Sequence, residues 1–310
     1  MMSNRVFCVI VTYNAMKWVD RCLTSLREST ILVNTVVVDN LSTDNTVSYI
    51  NDKYPEVCII HNSENKGFGQ ANNQGIEYAY SKGATHFFLL NQDAWVSKDG
   101  IEQLVSIQNR YNIAILSPIH LNGTAEKFDN AYLSAAVFED SNVEFVNNLF
   151  FSNLKDYYIV EKINAAAWMI SRETIESIGG FNPLFFHYGE DINYCQRLKY
   201  FGKVIAFTPK ATICHDRNEH GNMAVYNKRA ILTFLLTRHS NINHPFFSTQ
   251  EKIPQFTILL YWRIIKCFWG LRWNNLGLLC GSYTNYILKI PAIFCSRKQD
   301  KKAGHNWLKL

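Results

Sequence analysis

The 310-residue chain has no CxxC pair: its eight cysteines are scattered at 8, 22, 58, 195, 214, 267, 280 and 295. That argues against a zinc or disulfide framework and for a reducing compartment. No stretch approaches the roughly 18 apolar residues of a membrane span. The opening MMSNRVFCVIVTYNAM has a short apolar core but no small-residue cleavage site, so it reads as a first strand rather than a secretory signal. There is no internal repeat and no low-complexity tract. Residues 1–255 lack a basic excess, with 22 Lys/Arg against 25 Asp/Glu, a net of −3. Residues 256–310 hold nine against one, a net of +8, so the overall +5 belongs to the tail. A nucleic-acid groove across the main body is disfavoured.

What is present suits a sizeable core, with 47% hydrophobic and 14% aromatic residues. RVFCVIVTYN (5–14), TVVVDN (35–40), VCIIHN (57–62), HFFLLN (86–91) and IAILSP (113–118) read as buried strands. Helical spacing marks Trp18 to Leu26, a stretch capped by Ser42 or Thr43, one ending near Gly83, and 98–111. Strand alternating with helix predicts an α/β fold with a mainly parallel, doubly wound sheet. Residues 120–160 read as hairpins and loops. A strand and helix over 163–180, a helix from Glu190 and a strand at KVIAFTP follow.

The first strands end in polar groups: Thr12-Tyr13-Asn14, Asp39-Asn40, His61-Asn62 and Asn91-Gln92-Asp93. On one edge of a parallel sheet these ends form a polar crevice, which is where such folds bind ligands. Asp39 suits a nucleobase imide or ribose, or else an Asx-turn; Asp44 reads as a cap. NKGFGQANNQG (65–75) suits a phosphate, or simply a loop that needs positive φ. It is no dinucleotide fingerprint, because its glycine spacing is wrong and it follows the third strand.

Asp93 offers one carboxylate to a hard divalent cation, Mg²⁺ or Mn²⁺, which would need substrate phosphates to complete its shell. Glu190 and Asp191 open a helix, complementing its dipole. Beside Gly179-Gly180, Gly189 and the aromatics 185–188, a partly desolvated carboxylate also suits general-base work. His215 ends a short apolar strand, where a lone histidine is either structural or a ligand.

Together VIVTYN, VVVDNLSTDNT, NKGFGQANNQG, LLNQDA, WMISR, GGFNPLFFHYGEDINYCQR and ICHD resemble a bacterial family 2 glycosyltransferase of the GT-A fold. The likeness covers about residues 5–220, with the rhamnosyltransferase branch nearest. It implies inverting transfer from a dTDP- or UDP-linked sugar to a hydroxyl of a glycan or lipid-linked glycan. Rhamnose is the leading donor sugar, and galactosyl or glucosyl transfer the alternative. It also implies that Thr12, Tyr13, Asn14, Asp39, Asn40, Asn65, Gly67, Gly69, Asn72 and Gln92 serve the nucleotide. Asp93 and His215 would hold the metal, and Asp191 would act as base. Glu190, Trp168 and Arg197 would serve the sugars. NQD departs from a full DxD, which leaves the strictness of the metal requirement open.

The expected division is a catalytic domain over 1–225, with halves at about 1–118 and 119–225, and a helical extension over 226–310. The aromatic and basic 256–302 suit a membrane interface, with Arg263 and Lys266 on one helical face. The alternatives are a helical subdomain packed on the catalytic domain, or a dimer contact. This places the protein in the cytoplasm at the inner membrane face, with homo-oligomerisation left open. Two rivals remain. A nucleotidyltransferase would want a basic loop near the first strand, and a non-catalytic sugar-binding module would not need Asp93, Asp191 and His215 together.

Overall fold

The computed structural model describes residues 4–138, 142–217, 228–244 and 273–310. His220 and the stretch 256–272, including Arg263 and Lys266, lie outside them. The first half alternates β1 (Val6–Thr12), α1 (Val19–Arg27), β2 (Val33–Asp39), α2 (Thr46–Lys53), β3 (Cys58–His61), α3 (Phe68–Ser81) and β4 (His86–Asn91). Strand β1 pairs in parallel with β2 and β4, and β2 with β3. Phe7 and Val9 enter one apolar layer, while Val6, Cys8 and Ile10 enter the other. Both faces are covered, which is why these strands show no apolar–polar alternation. Helix α1 buries only Val19, Cys22, Leu23 and Leu26, the stripe its spacing predicts.

Register brings the polar strand ends together. Thr12 pairs with Asp39, Asp39 with His61, and Val11 with Asn91. After β4 the chain passes through Gln92-Asp93 into a short β5 (Ala94–Val96), then α4 (Gly100–Tyr111) and β6 (Ile115–Asn122). The remaining elements of the body are α5 (Asn130–Leu133), a π-helical turn (Ser134–Phe138), α6 (Val143–Phe150), β7 (Tyr158–Ile159), β8 (Ala167–Ser171), α7 (Arg172–Ile178), α8 (Glu190–Tyr200) and β9 (Ile205–His215). The sheet order is β3-β2-β1-β4-β8-β6-β9-β5, with β7 also on β9. Strand β8 runs against both neighbours, whereas β6 and β9 are parallel.

Three local expectations are corrected. Residues 120–160 hold helical stretches over 130–138 and 143–150 between loops, with Asp129 and Asn142 accepting the backbone N–H of Tyr132 and Phe145 as N-caps. The strand at KVIAFTP and the one ending at His215 are one strand, β9, with a register shift opposite Pro118/Ile119. Asn45, not Ser42 or Thr43, precedes α2. Ser42 is instead engaged by the Asp39 carboxylate, and the Thr43 N–H by Asn14 Oδ1.

Helices α9 (Lys228–Ser240) and α10 (Trp273–Asp300) pack together and against Phe185 through Ile231, Leu235, Tyr286 and Ile293. The chain end then returns to the body that holds the sheet. The Gly180 N–H donates to Asn306 O at 2.8 Å, and the Lys309 N–H donates to Glu77 at 2.8 Å. A side chain at Gly179, whose φ is +85°, would strike the Asn306 backbone. Gly179-Gly180 is therefore a seat for the C-terminal segment. Among the described residues no helix is long and apolar enough to cross a membrane.

Candidate active site

At the C-terminal edge of the parallel strands lies a cavity of about 530 Å³. Tyr13, Asn40, Asn65 and Gly67 line one side, Gln92, Asp93 and His215 the floor, and Phe186, His187 and Tyr188 a third wall. Strand β5 explains the floor. It pairs antiparallel with β9 so that Ala94 lies opposite His215, and the Asp216 N–H donates to Asp93 O at 2.8 Å. Two residues 122 positions apart therefore meet, with Asp93 Oδ1 lying 3.3 Å from His215 Nε2.

The other imidazole nitrogen, Nδ1, lies 3.2 Å from Asp129 Oδ2, close enough to pair but not aligned for a hydrogen bond. Burial alone would lower the His215 pKa, but Asp129 and Asp93 push it up to about 9. Asp129 is 4% exposed. Burial opposes its ionisation, yet His215 and the Tyr132 N–H hold its pKa below the usual carboxylate range. Behind them His120 stacks on Tyr132 with ring centroids 4.5 Å apart, and burial lowers its pKa to about 3.

Asp93 and His215 fit a divalent ion. An oxygen and a nitrogen 3.3 Å apart have the spacing of neighbouring ligands around an ion bonded at about 2.0–2.3 Å. Among the described residues no group of three His, Cys, Asp or Glu side chains could hold a metal. The rest of the shell would come from substrate phosphate and water, as hard cations allow.

The residues expected to serve the nucleotide divide in two. Tyr13, Asn40, Asn65, Gly67 and Gln92 line the cavity. Thr12, Asn14, Asp39, Gly69 and Asn72 buttress it. Thr12 Oγ1 and the Ser42 N–H, three residues on, donate to Asp39 at 2.8 and 3.0 Å, so its carboxylate is taken up by its own strand end and loop. Asn14 Oδ1 accepts the Thr43 N–H, and Asn72 donates to Phe68 O. Gly69 lets α3 approach Phe181 and Glu190, since an added Cβ would lie 3.0 Å from the Phe181 Cβ. Gly67, at φ +79°, admits the Phe186 carbonyl, which accepts the Phe68 N–H at 3.2 Å. The glycine loop thus closes the aromatic segment over the cavity. Asp44 caps, accepting the Thr46 N–H at 3.0 Å.

Glu190 and Asp191 occupy the first turn of α8. Glu190 is buried and Asp191 half-buried. Burial raises the Asp191 pKa against the backbone N–H groups that favour its charge. Asp191 stands beyond the cavity lining, and Arg217, which lines the cavity, lies near enough to act on it electrostatically.

Two expected sugar contacts are corrected. Trp168 is wholly buried in β8, stacked on Phe181 with centroids 5.9 Å apart. Arg197 is wholly buried too, donating to Gly180 O and Ile178 O and pairing with Asp300. Neither reaches the cavity, because each faces the core side of its element. Conversely, Asp129, Trp18 and Arg217 belong to the site but carry no motif. The only sequence signal was that Asp216 and Arg217 directly follow His215.

A family model described as glycosyl transferase family 2 matches residues 7–179. The chain belongs to glycosyl transferase family 2. Among family relatives, the dTDP-rhamnosyl transferase RfbF of Shigella flexneri is 23% identical over 289 residues, covering 90% of this chain and 83% of that protein. The N-acetylglucosaminyl-diphospho-decaprenol L-rhamnosyltransferase of Mycobacterium tuberculosis is 24% identical over 266 residues, covering 77% and 86%. The fold matches two solved structures. One is S. aureus TarS, with TM-score 0.54 and 13% identity over 85% of this chain and 43% of that one. The other is GalNAc-T7 with UDP, GalNAc and Mn²⁺, with TM-score 0.56 and 14% identity over 80% and 52%. The chain spans about half the length of these structures. As a family 2 member it is a rhamnosyltransferase-like glycosyltransferase of mixed α/β fold, taking a nucleotide-sugar donor.

Proposed function

We propose that this glycosyltransferase moves rhamnose from dTDP-rhamnose, with inversion, to a hydroxyl of a glycan or lipid-linked glycan in bacterial surface polysaccharide assembly. The observation that carries the reading is the Asp93–His215 pair, 3.3 Å apart on the floor of a cavity lined by Tyr13 and Asn40. The two rhamnosyltransferase relatives support the sugar. A protein that only held sugar would not need two ion ligands beside a half-buried carboxylate on a helix N-terminus.

Tyr13, half-exposed at the end of β1, presents a ring face to the base. Asn40 and Gln92 are fixed from behind, Asn40 donating to Gly67 O and Gln92 accepting the Tyr13 N–H. Both present amides whose geometry is set before the nucleotide arrives. Asp93 and His215 would hold Mg²⁺ or Mn²⁺, which as a Lewis acid neutralises charge on the leaving diphosphate. Asp191 takes the acceptor hydroxyl proton as the oxygen attacks the anomeric carbon. The raised pKa supports that role, since it brings the carboxylate nearer to a useful basicity. Glu190, buried in the same turn, supports the sugar-side wall.

Residues 1–225 form the catalytic unit in this reading, and 226–310 an extension. A lipid-linked acceptor would place the enzyme at the cytoplasmic membrane face. The deciding experiment is calorimetric binding of dTDP-rhamnose beside UDP- and GDP-sugars, with and without Mn²⁺. Metal-enhanced binding of dTDP-rhamnose alone is expected. Preference for a UDP-sugar would replace rhamnose with a galactosyl- or glucosyl-type donor. Binding indifferent to metal would remove the ion from Asp93 and His215.

A further inference from the structure

Among the described residues Arg217 is the one arginine that lines the cavity. It directly follows His215-Asp216, and that backbone is held from two sides. The Asp216 N–H donates to Asp93 O, and Asp216 Oδ2 accepts the Trp18 indole N–H at 2.7 Å while pairing with Lys17 at 2.9 Å. On the far side, Gly123 packs so closely that a Cβ there would lie 2.8 Å from Asp216 Oδ1. Arg217 therefore leaves a clamped strand end with its Cα placed, while its own side chain is exposed.

Among the described residues the guanidinium has anionic neighbours yet is committed to none. Its charge acts on Asp191 and Asp129, and on His215 and His120 as well. Among the described residues it forms no hydrogen bond or ion pair. A planar donor fork free in a cavity suits an anion with paired oxygens. A diphosphate brings more negative charge than Asp93 and His215 can accommodate with one divalent ion. The crevice's own acids would otherwise repel it.

We infer that Arg217 is a catalytic residue of the transfer reaction, gripping the diphosphate of the nucleotide donor between the Asp93–His215 pair and Asp191. The inference rests on the nucleotide-sugar reading above. In the step it serves, the acceptor O–H proton passes to Asp191 and the acceptor oxygen bonds to the anomeric carbon. The bond from that carbon to the diphosphate oxygen breaks, and its electron pair stays on the diphosphate, where the Arg217 charge offsets it. A cation that meets charge as it develops lowers the barrier more than one that only binds the ground state.

The test compares dTDP and UDP with dTMP and UMP by calorimetry in Mn²⁺, for the wild type, Arg217→Gln and Arg217→Lys. Loss of a hydrogen-bonded charge should weaken nucleoside diphosphate binding in Arg217→Gln by roughly tenfold to a hundredfold. Monophosphate binding should be little changed, and Arg217→Lys should recover part of the loss. Unchanged diphosphate affinity in Arg217→Gln would overturn the assignment, as would equal loss for mono- and diphosphates. If the wild type binds neither dTDP nor UDP, the nucleotide-sugar reading itself falls, which is a separate result from a silent Arg217.

Discussion

Arg197 and Asp300 form an ion pair, Nε to Oδ1 3.4 Å, with neither side chain exposed. Arg197 lies on the helix that begins with Glu190 and Asp191, and Asp300 is the last residue of the long C-terminal helix. Asp300 also accepts from Asn182 and Asn193 and from the Trp307 indole N–H. The C-terminal segment is thus wired into the helix that carries the proposed base. Burial lowers the Arg197 pKa while Asp300 opposes that loss, so each ion depends on the other.

Removing one partner should therefore be costly. Asp300→Ala leaves a buried guanidinium unpaired and should destabilise the fold by about 3–5 kcal/mol in denaturant titration. The apolar pair Arg197→Met with Asp300→Leu should recover much of that loss. Wild-type stability in Asp300→Ala would show that the pair is not a structural tie.

As the proposed base, Asp191 would act only when ionised. Burial raises its pKa, so the rate should fall as pH drops through that raised value, above the ordinary aspartate range. Asp191→Asn should cut turnover by about 10²–10⁴-fold, remove that acid limb and leave dTDP affinity unchanged. An intact acid limb in the variant would assign the base elsewhere.

Asp129 faces His215 Nδ1 and leaves Nε2 turned towards Asp93. Partners of this kind orient a ligating imidazole, and losing one typically costs about 10–100-fold in metal affinity. Asp129→Asn should weaken Mn²⁺ binding in the presence of dTDP by that order, read by calorimetry. Mn²⁺ affinity equal to the wild type would leave Asp129 as a helix cap alone.

Trp168 separates packing from sugar contact. Trp168→Ala should destabilise by about 3–5 kcal/mol, the usual range for an emptied aromatic site. Trp168→Phe, which fills most of that space, should leave the donor KM unchanged. A raised KM in a stably folded Trp168→Phe would return the residue to the site.

The sequence alone determined the alternation of strand and helix, the polar ends of β1 to β4, and Asp93, Asp191 and His215 as candidates. These are local matters: periodicity, apolar runs and the residue at which a run ends. The helices between 120 and 160 were illegible because short caps such as Asp129 and Asn142 look like loop chemistry until the turn they cap is seen.

The tertiary structure alone decided which polar residue faces the cavity and which faces its neighbours. Asp39 and Asn14 have the composition of ligands but meet Ser42, Thr12 and Thr43 first. Trp168 and Arg197 sit in suggestive motifs but point into the core. The Asp93–His215–Asp129 line and the seat of the C-terminal segment on Gly179-Gly180 join residues far apart in the chain. Such pairings follow from strand order and register, which one chain read in order does not display.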